Sequence, residues 1–425
     1  MHNKMQLKNG INVVYQKLEG YRSVCVGVWV KAGSSNEETD QNGISHFIEH
    51  MLFKGTKNRT AKEIAMEIDG VGGEINAYTA KECTCYYAKL LGQDIEIGFD
   101  VLSDMLQRSI FDEEHIALEK TVILDEINMY EDSPEDLVAD ILTEITFGNH
   151  ALSLPILGTK ETVTAFTRES LMEYYTAHYT AENIVISIAG DFDEDRVELL
   201  CEQYFGDVKQ VSKSDSILEL PFFHSNYGYK KKENEQIQVC IDFPGVKYDD
   251  DRSYDLMLLS NVFGGTNSSM LFQKIREESG LSYSIYAQPS FYDDIGTVTV
   301  SFGVARENLE QVIDLLIETI ETLKANKLSD EEVEHAKAHL RGSFVLSLEG
   351  TDNYMDLIGR LELFAQKEKD FGEMMAKIES INTEQVNALI DLCFGSGEVA
   401  MAIVGEVDDA ITQKLYNKLR KHLKN

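Results

Sequence analysis

The sequence predicts a chain of the α+β class, built as two homologous domains. Three observations predict it: a length that exceeds one ordinary core, a weak internal duplication, and buried-strand runs interleaved with long helical patterns. At 425 residues the chain suits two domains of about 200 residues. Residues 183–193 read Asn-Ile-Val-Ile-Ser-Ile-Ala-Gly-Asp-Phe-Asp, and residues 398–408 read Glu-Val-Ala-Met-Ala-Ile-Val-Gly-Glu-Val-Asp. Gly190 and Gly405 are 215 positions apart, and the same offset sets Cys25 on Cys240 and the helix start 166–169 on 381–384. With a slip of three, Asp112-Glu113-Glu114 matches Asp330-Glu331-Glu332, each heading a helical pattern. Matches in one order at nearly one offset are the mark of a repeat.

In the first half, period-two patterns predict strands over 10–16 and 22–31. Helices are expected at 43–53 and 61–69, and after the turn Gly70-Val71-Gly72-Gly73 come strands at 74–79 and 84–90. Long helices follow at 93–108 and 112–130, and the next begins with Ser133 as N-cap and Pro134 at the first helical position. A polar stretch from about 209, with Ser212, Ser214, Ser216, Pro221 and Ser225, reads as the connection. The expected division is 1–213, a linker 214–231, and 232–425. Lys230-Lys231-Lys232 reads as a solvated part of that connection.

Apolar residues make up 43% and charged residues 26%, the balance of a soluble globular protein. No run approaches the ~20 apolar residues of a membrane span, and the first residues lack a secretory or transit pattern, so a cytoplasmic setting is expected. Six scattered cysteines contain no C-x-x-C pair and do not argue for a disulfide framework, and Cys83 and Cys85, on one face of a strand, read as small core residues. A net charge of −34 argues against nucleic acid and anionic membrane partners. It is either a solubility device or a match to cationic peptides.

Residues 43–56 carry the chemistry. On a helix advancing about 100° per residue, His50 falls near 40° from His46, and Glu49 near −60°. All three project from one arc, in the order H-x-x-E-H. The pentapeptide alone arises by chance in roughly 2 of 100 chains with this many histidines. A second such pair, His335 and His339, encloses only Ala336, Lys337 and Ala338 and reads as a solvated helix face. A catalytic zinc takes three protein ligands and keeps a fourth position open. The helix at 112–130 offers Glu119 and Glu126, which share a face but lie about 10 Å apart along the axis, so only one of them can reach the ion. The other is left to orient a ligand.

H-x-x-E-H followed 76 residues later by Glu resembles the signature of the pitrilysin-type zinc metallopeptidases, the inverzincins. The closer likeness is to the branch of mitochondrial processing peptidase and its bacterial relatives. The words 46–56, Asn76-Ala77-Tyr78-Thr79 and 276–283 carry it through both halves. The resemblance implies two halves, each a mostly antiparallel sheet packed with helices, closing as a clamshell around a peptide. It implies one Zn2+ per chain, held by His46, His50 and Glu126, with Glu119 in support and Glu49 as general base. It also implies that Arg276 and Tyr283 contact substrate carbonyls, and that Asn76 and Ala77 lie on an edge strand to which substrate pairs. The second half carries Gly264-Gly265-Thr266-Asn267-Ser268 where the zinc helix would be, so it lacks those ligands. The implied activity is zinc-dependent endopeptidase, acting as a homodimer. The alternative is an inactive scaffold or regulatory subunit of the same fold, and the intact ligand set separates the two.

Overall fold

A computed structural model describes residues 2–210, 219–365 and 371–424. Strands β1 (Asn3–Gln6), β2 (Asn12–Lys17) and β3 (Ser23–Val30) open the chain. Helices α1 (Ile44–Leu52) and α2 (Ala61–Asp69) precede β4 (Glu74–Thr79) and β5 (Thr84–Leu91). Helices α3 (Ile95–Arg108), α4 (Glu113–Asp132), α5 (Pro134–Phe147), α6 (Lys160–Ala165) and α7 (Arg168–His178) follow, then β6 (Ile184–Gly190) and α8 (Val197–Phe205). The second half runs β7 (Tyr227–Lys231), β8 (Ile237–Pro244), α9 (Ser253–Ser260), β9 (Ser282–Phe291) and β10 (Gly296–Val304). It continues with α10 (Leu309–Asn326), α11 (Asp330–Ser347), α12 (Thr351–Phe364), α13 (Phe371–Ser380), α14 (Thr383–Phe394), β11 (Ala400–Gly405) and α15 (Asp409–Leu423). From β7 onward the order repeats that of β2 to α8, except that two π-helical turns, Asn261–Gly265 and Phe272–Glu277, follow α9 in place of α2.

The two sheets have the same plan. One is ordered β1-β2-β6-β3-β5-β4 and the other β7-β11-β8-β10-β9. In each, the only parallel pair among the described residues joins the first repeated strand to the last, β2 with β6 and β7 with β11. Cys25 and Cys240, matched by the repeat, are buried on the equivalent strands β3 and β8. Gly190 and Gly405 end equivalent strands with φ of 130° and 148°, a region only glycine enters at low cost. A Cβ on Gly190 would meet Ser23 O at 2.2 Å.

The compact units are discontinuous in sequence. Unit 1 is formed by 1–127, 154–218 and 345–372, and unit 2 by 128–153, 219–344 and 373–425. They differ from a cut at 213 and 232 because two equivalent helices are exchanged: α5 packs on β11, β8 and β7, and α12 packs on β6, β3 and β2. The reason lies in β3, which is buried on both faces. Val24, Val26, Val28 and Val30 enter the main core of unit 1, whereas Cys25, Gly27 and Trp29 face α12. The approach is close enough that a Cβ on Gly359 would meet Trp29 Nε1 at 2.1 Å, and one on Gly27 would meet Met355 Sδ at 2.2 Å.

Within the expected linker, 214–218 lie outside the described residues, as do Ser212, Ser214 and Ser216. Its other end is not a linker: Tyr227–Lys231 forms β7, paired with β11. Lys230 and Lys231 are exposed there because β7 is an edge strand, where lysine discourages further pairing, whereas Lys232, half-buried just beyond it, donates to Glu131 O at 2.7 Å.

Candidate metal centre

The site begins with how α1 is anchored. Ile44, Phe47, Ile48, Met51 and Leu52 are buried in the unit 1 core, so the opposite side of the helix is fixed in direction. Phe47 and Met51 are thereby core residues. At the N-terminus the buried Glu37 carboxylate does the capping. Its Oε2 accepts from Gly43 N (2.7 Å) and Asn42 Nδ2 (3.0 Å), and its Oε1 from Ser45 N (2.8 Å). This satisfies otherwise orphaned donors and places negative charge at the positive end of the helix. Burial raises the Glu37 pKa, and the three donors pull it partly back. Gly43 has φ of 92°, and a Cβ there would meet Gly158 Cα at 2.7 Å.

His46 and His50 then stand one turn apart with ring centroids 4.6 Å apart. Their Nε2 atoms lie 3.8 and 3.7 Å from the same oxygen, Glu126 Oε2 on α4. Among the described residues these three form the one cluster of His, Cys, Asp or Glu donors with all ligand atoms within 4.8 Å. Zinc bonds of about 2.0–2.2 Å give donor separations of about 3.3–3.6 Å in a tetrahedron, so the two histidine-to-Glu126 separations are within a few tenths of an ångström of what Zn2+ requires. Burial, with His50 alongside, lowers His46 to about 3, which keeps its imidazole in the neutral form that binds a metal.

Glu119 sits one side of this set, 1% exposed, with Oε2 3.0 Å from His50 Nδ1. Its other oxygen pairs with Lys54 Nζ at 2.8 Å. Glu119 therefore fixes the His50 ring and its tautomer, and Lys54 offsets the buried charge. Glu49 points elsewhere: Thr79 Oγ1 at the end of β4 donates to its Oε2 at 2.5 Å. Burial raises the Glu49 pKa, and the Thr79 hydroxyl pulls it back.

Glu37, Lys54 and Thr79 were not singled out from sequence. Lys54 had a signal, since it follows His50 by four residues. The other two are brought in by tertiary contacts alone. Asn76 and Ala77 lie on β4, the edge strand of the first sheet. On the face of β4 that carries Asn76, Tyr78 is held by Asp356 Oδ1 (2.5 Å) and Arg360 Nη2 (3.0 Å) from α12. In unit 2, Arg276 stacks between Phe272 and Tyr283, its guanidinium 4.6 and 5.0 Å from the two ring centroids, and Tyr283 at the start of β9 is 78% exposed. No described helix is long and apolar enough to cross a membrane.

A duplicated α+β chain whose first unit alone carries a His-x-x-Glu-His helix beside a glutamate helix defines the inverted-motif, pitrilysin-type class. Comparison with known proteins agrees. Residues 12–160 match the family described as insulinase (peptidase family M16), and residues 165–340 match the peptidase M16 inactive domain. The uncharacterized zinc protease YmxG of Bacillus subtilis is 42% identical over 397 residues, 93% of this chain and 96% of its own. The uncharacterized zinc protease SCO5738 of Streptomyces coelicolor is 34% identical over 419 residues, 97% of this chain and 91% of its own. Among solved structures, a peptidase M16 inactive domain from Pseudomonas fluorescens superposes with a TM-score of 0.88 at 18% identity, over 96% of this chain and 98% of that one. A protease from Helicobacter pylori gives 0.86 at 19% identity, over 95% and 99%. At such identities the structural likeness concerns the fold alone. The chain belongs to peptidase family M16.

Proposed function

We propose that the chain is a zinc-dependent endopeptidase acting on peptides or extended polypeptide segments, with one Zn2+ per chain on His46, His50 and Glu126. The observation that carries this reading is Glu49, which shares the arc of α1 with both imidazoles yet is tethered to Thr79 and stands apart from the donor cluster. Bound zinc would supply Lewis-acid chemistry, activating water and polarising a peptide carbonyl. With Oε2 committed to Thr79, Glu49 Oε1 takes the proton of the attacking water and later passes it to the leaving amine. The substrate pairs along the edge strand at Asn76 and Ala77, which grips main-chain groups and leaves side-chain preference to a few pockets. Arg276 and Tyr283 donate to substrate carbonyl oxygens as negative charge develops there. Cationic peptides are the preferred class, on the ground of the −34 charge. The resemblance to bacterial relatives of the mitochondrial processing peptidase branch is the ground for reading the chain as a homodimer.

Glu49→Gln tests the reading. Turnover of an unstructured peptide should fall roughly 10²–10⁴-fold while zinc content stays at the wild-type level. Loss of zinc in that variant would make Glu49 a ligand, and a wild-type chain that binds zinc but cleaves nothing would favour the inactive scaffold. His46→Ala, His50→Ala and Glu126→Ala should each lose the metal.

A further inference from the structure

In unit 1 the donor cluster lies between α1 and α4. Their counterparts in unit 2 are α9, with the π-helical turn that follows it, and α11. The π-helical turn, the stretch that follows it and α11 line an open pocket of about 400 Å³, whose walls include Asn261, the buried Ser269, and the exposed Gln273, Glu331, His335 and His339. The 215-residue offset puts Asn261 at the position of His46, Gly264 at that of Glu49 and Gly265 at that of His50. The imidazoles missing from that wall occur on the facing one.

His335 and His339 are one turn apart on α11, about 40° apart around the axis and about 6 Å along it, the spacing by which two imidazoles on one helix share an ion. Two further observations single out this pair from an ordinary solvated helix face. Ser269 lines the cavity and is 2% exposed, yet its hydroxyl has no partner among the described residues. A buried hydroxyl of that kind calls for a ligand or a ligand's water. Asn261 Nδ2 lies 3.0 Å from His339 Nδ1. With the amide turned over, Asn261 Oδ1 accepts from Nδ1–H and leaves Nε2 for the ion, the outer partner that metal-bound histidine usually has.

We propose that this cavity is a second metal site, taking a borderline divalent cation such as Ni2+, Cu2+ or Zn2+ on the imidazoles of His335 and His339. Imidazole donors suit these ions, and Glu331 one turn earlier on α11 adds negative charge to the same wall. Two protein donors against three make it weaker than the unit 1 centre, so it fills only when metal is in excess.

The untagged, zinc-loaded full chain is dialysed against a graded excess of Ni2+, and both metals are counted. Wild type should take up one nickel ion per chain beyond its zinc. The double variant His335→Ala/His339→Ala should take up none, with zinc content, helicity and peptidase rate in low metal unchanged. Asn261→Ala should weaken nickel binding without abolishing it. A His50→Ala chain should still take the nickel, so the result does not depend on whether the first centre hydrolyses peptides. Wild-type nickel uptake in the double variant, or none beyond zinc in the wild type, overturns the proposal.

Discussion

Thr79 Oγ1 donates to Glu49 Oε2 at 2.5 Å, which commits one carboxylate oxygen to the strand and leaves the other for the proton transfer proposed for Glu49. Hydrogen bonds to a charged group contribute about 1.5–3 kcal/mol, so Thr79→Val should lower kcat about 10–10²-fold with KM and zinc content near wild type. Thr79→Ser should restore most of the rate, because the hydroxyl and not the methyl does the positioning. Lys54 acts one step further out, on Glu119. In Lys54→Met the buried carboxylate loses its counter-charge and holds His50 less firmly, and zinc affinity should drop about 10–100-fold in chelator competition. Asp242, away from the centre, makes stability depend on pH. Burial raises it to about 6, although Thr299 and Thr146 hydroxyls donate to it at 2.5 and 2.9 Å. Its native form holds a proton that the unfolded chain has released by pH 4–5, so stability from this group falls as pH rises toward 6. Urea unfolding of Asp242→Asn should lack that fall, gaining roughly 2 kcal/mol on wild type between pH 4.5 and 7.

At the scale of elements, α1 is the piece on which the centre depends, and Glu37 is its weak point. Glu37→Ala leaves the Gly43 and Ser45 amides without their acceptor, and should cost on the order of 1–3 kcal/mol of stability and loosen the zinc as well. Glu37→Gln, which keeps an acceptor, should cost less; equal losses in the two would mean that charge and not hydrogen bonding holds the helix. None of this capping was legible in sequence, because Glu37 lies nine residues before His46 and reaches α1 through a 3-10 turn. What was legible followed from period. The strands β2 to β5 and helices α1 to α4 fall within two residues of their expected ends, since an apolar period runs along one face of each. His46, Glu49 and His50 were legible for the same reason, all sitting on one helix. β7 was not, because its Tyr-Gly-Tyr-Lys-Lys run is short, polar and half-exposed, and becomes a strand only through pairing with β11.

At the scale of the whole chain, the charge of −34 makes a kinetic prediction. If it draws cationic peptides in, kcat/KM for a basic peptide should fall as salt shortens the Debye length from about 30 Å at 0.01 M to about 8 Å at 0.15 M. A neutral peptide of equal length should respond much less, and matching profiles would leave the acidity as a solubility feature. The exchanged helices bear on any attempt to divide the protein. A fragment ending at 213 carries every residue of the donor cluster but lacks α12, leaving Trp29, Ser187 and the outer face of β3 uncovered. Unit 1 should therefore be recovered only when 345–372 is supplied, and a folded, zinc-binding 1–213 fragment would show that α12 is dispensable to the sheet.

The same exchange sets an order in time. The last donor, Glu126, is made early, but the helix that closes the back of its sheet ends at Phe364, 238 residues later. At about 5–20 residues per second a ribosome takes roughly 10–50 s to cover that distance. Throughout that interval the growing chain holds a full set of ligands on a sheet that is bare on one face. Chains truncated at residue 330 should be nicked by added protease within β2 to β6, where the full-length protein resists. Unit 1, by this arrangement, closes only after residues 219–344 of unit 2 have been made.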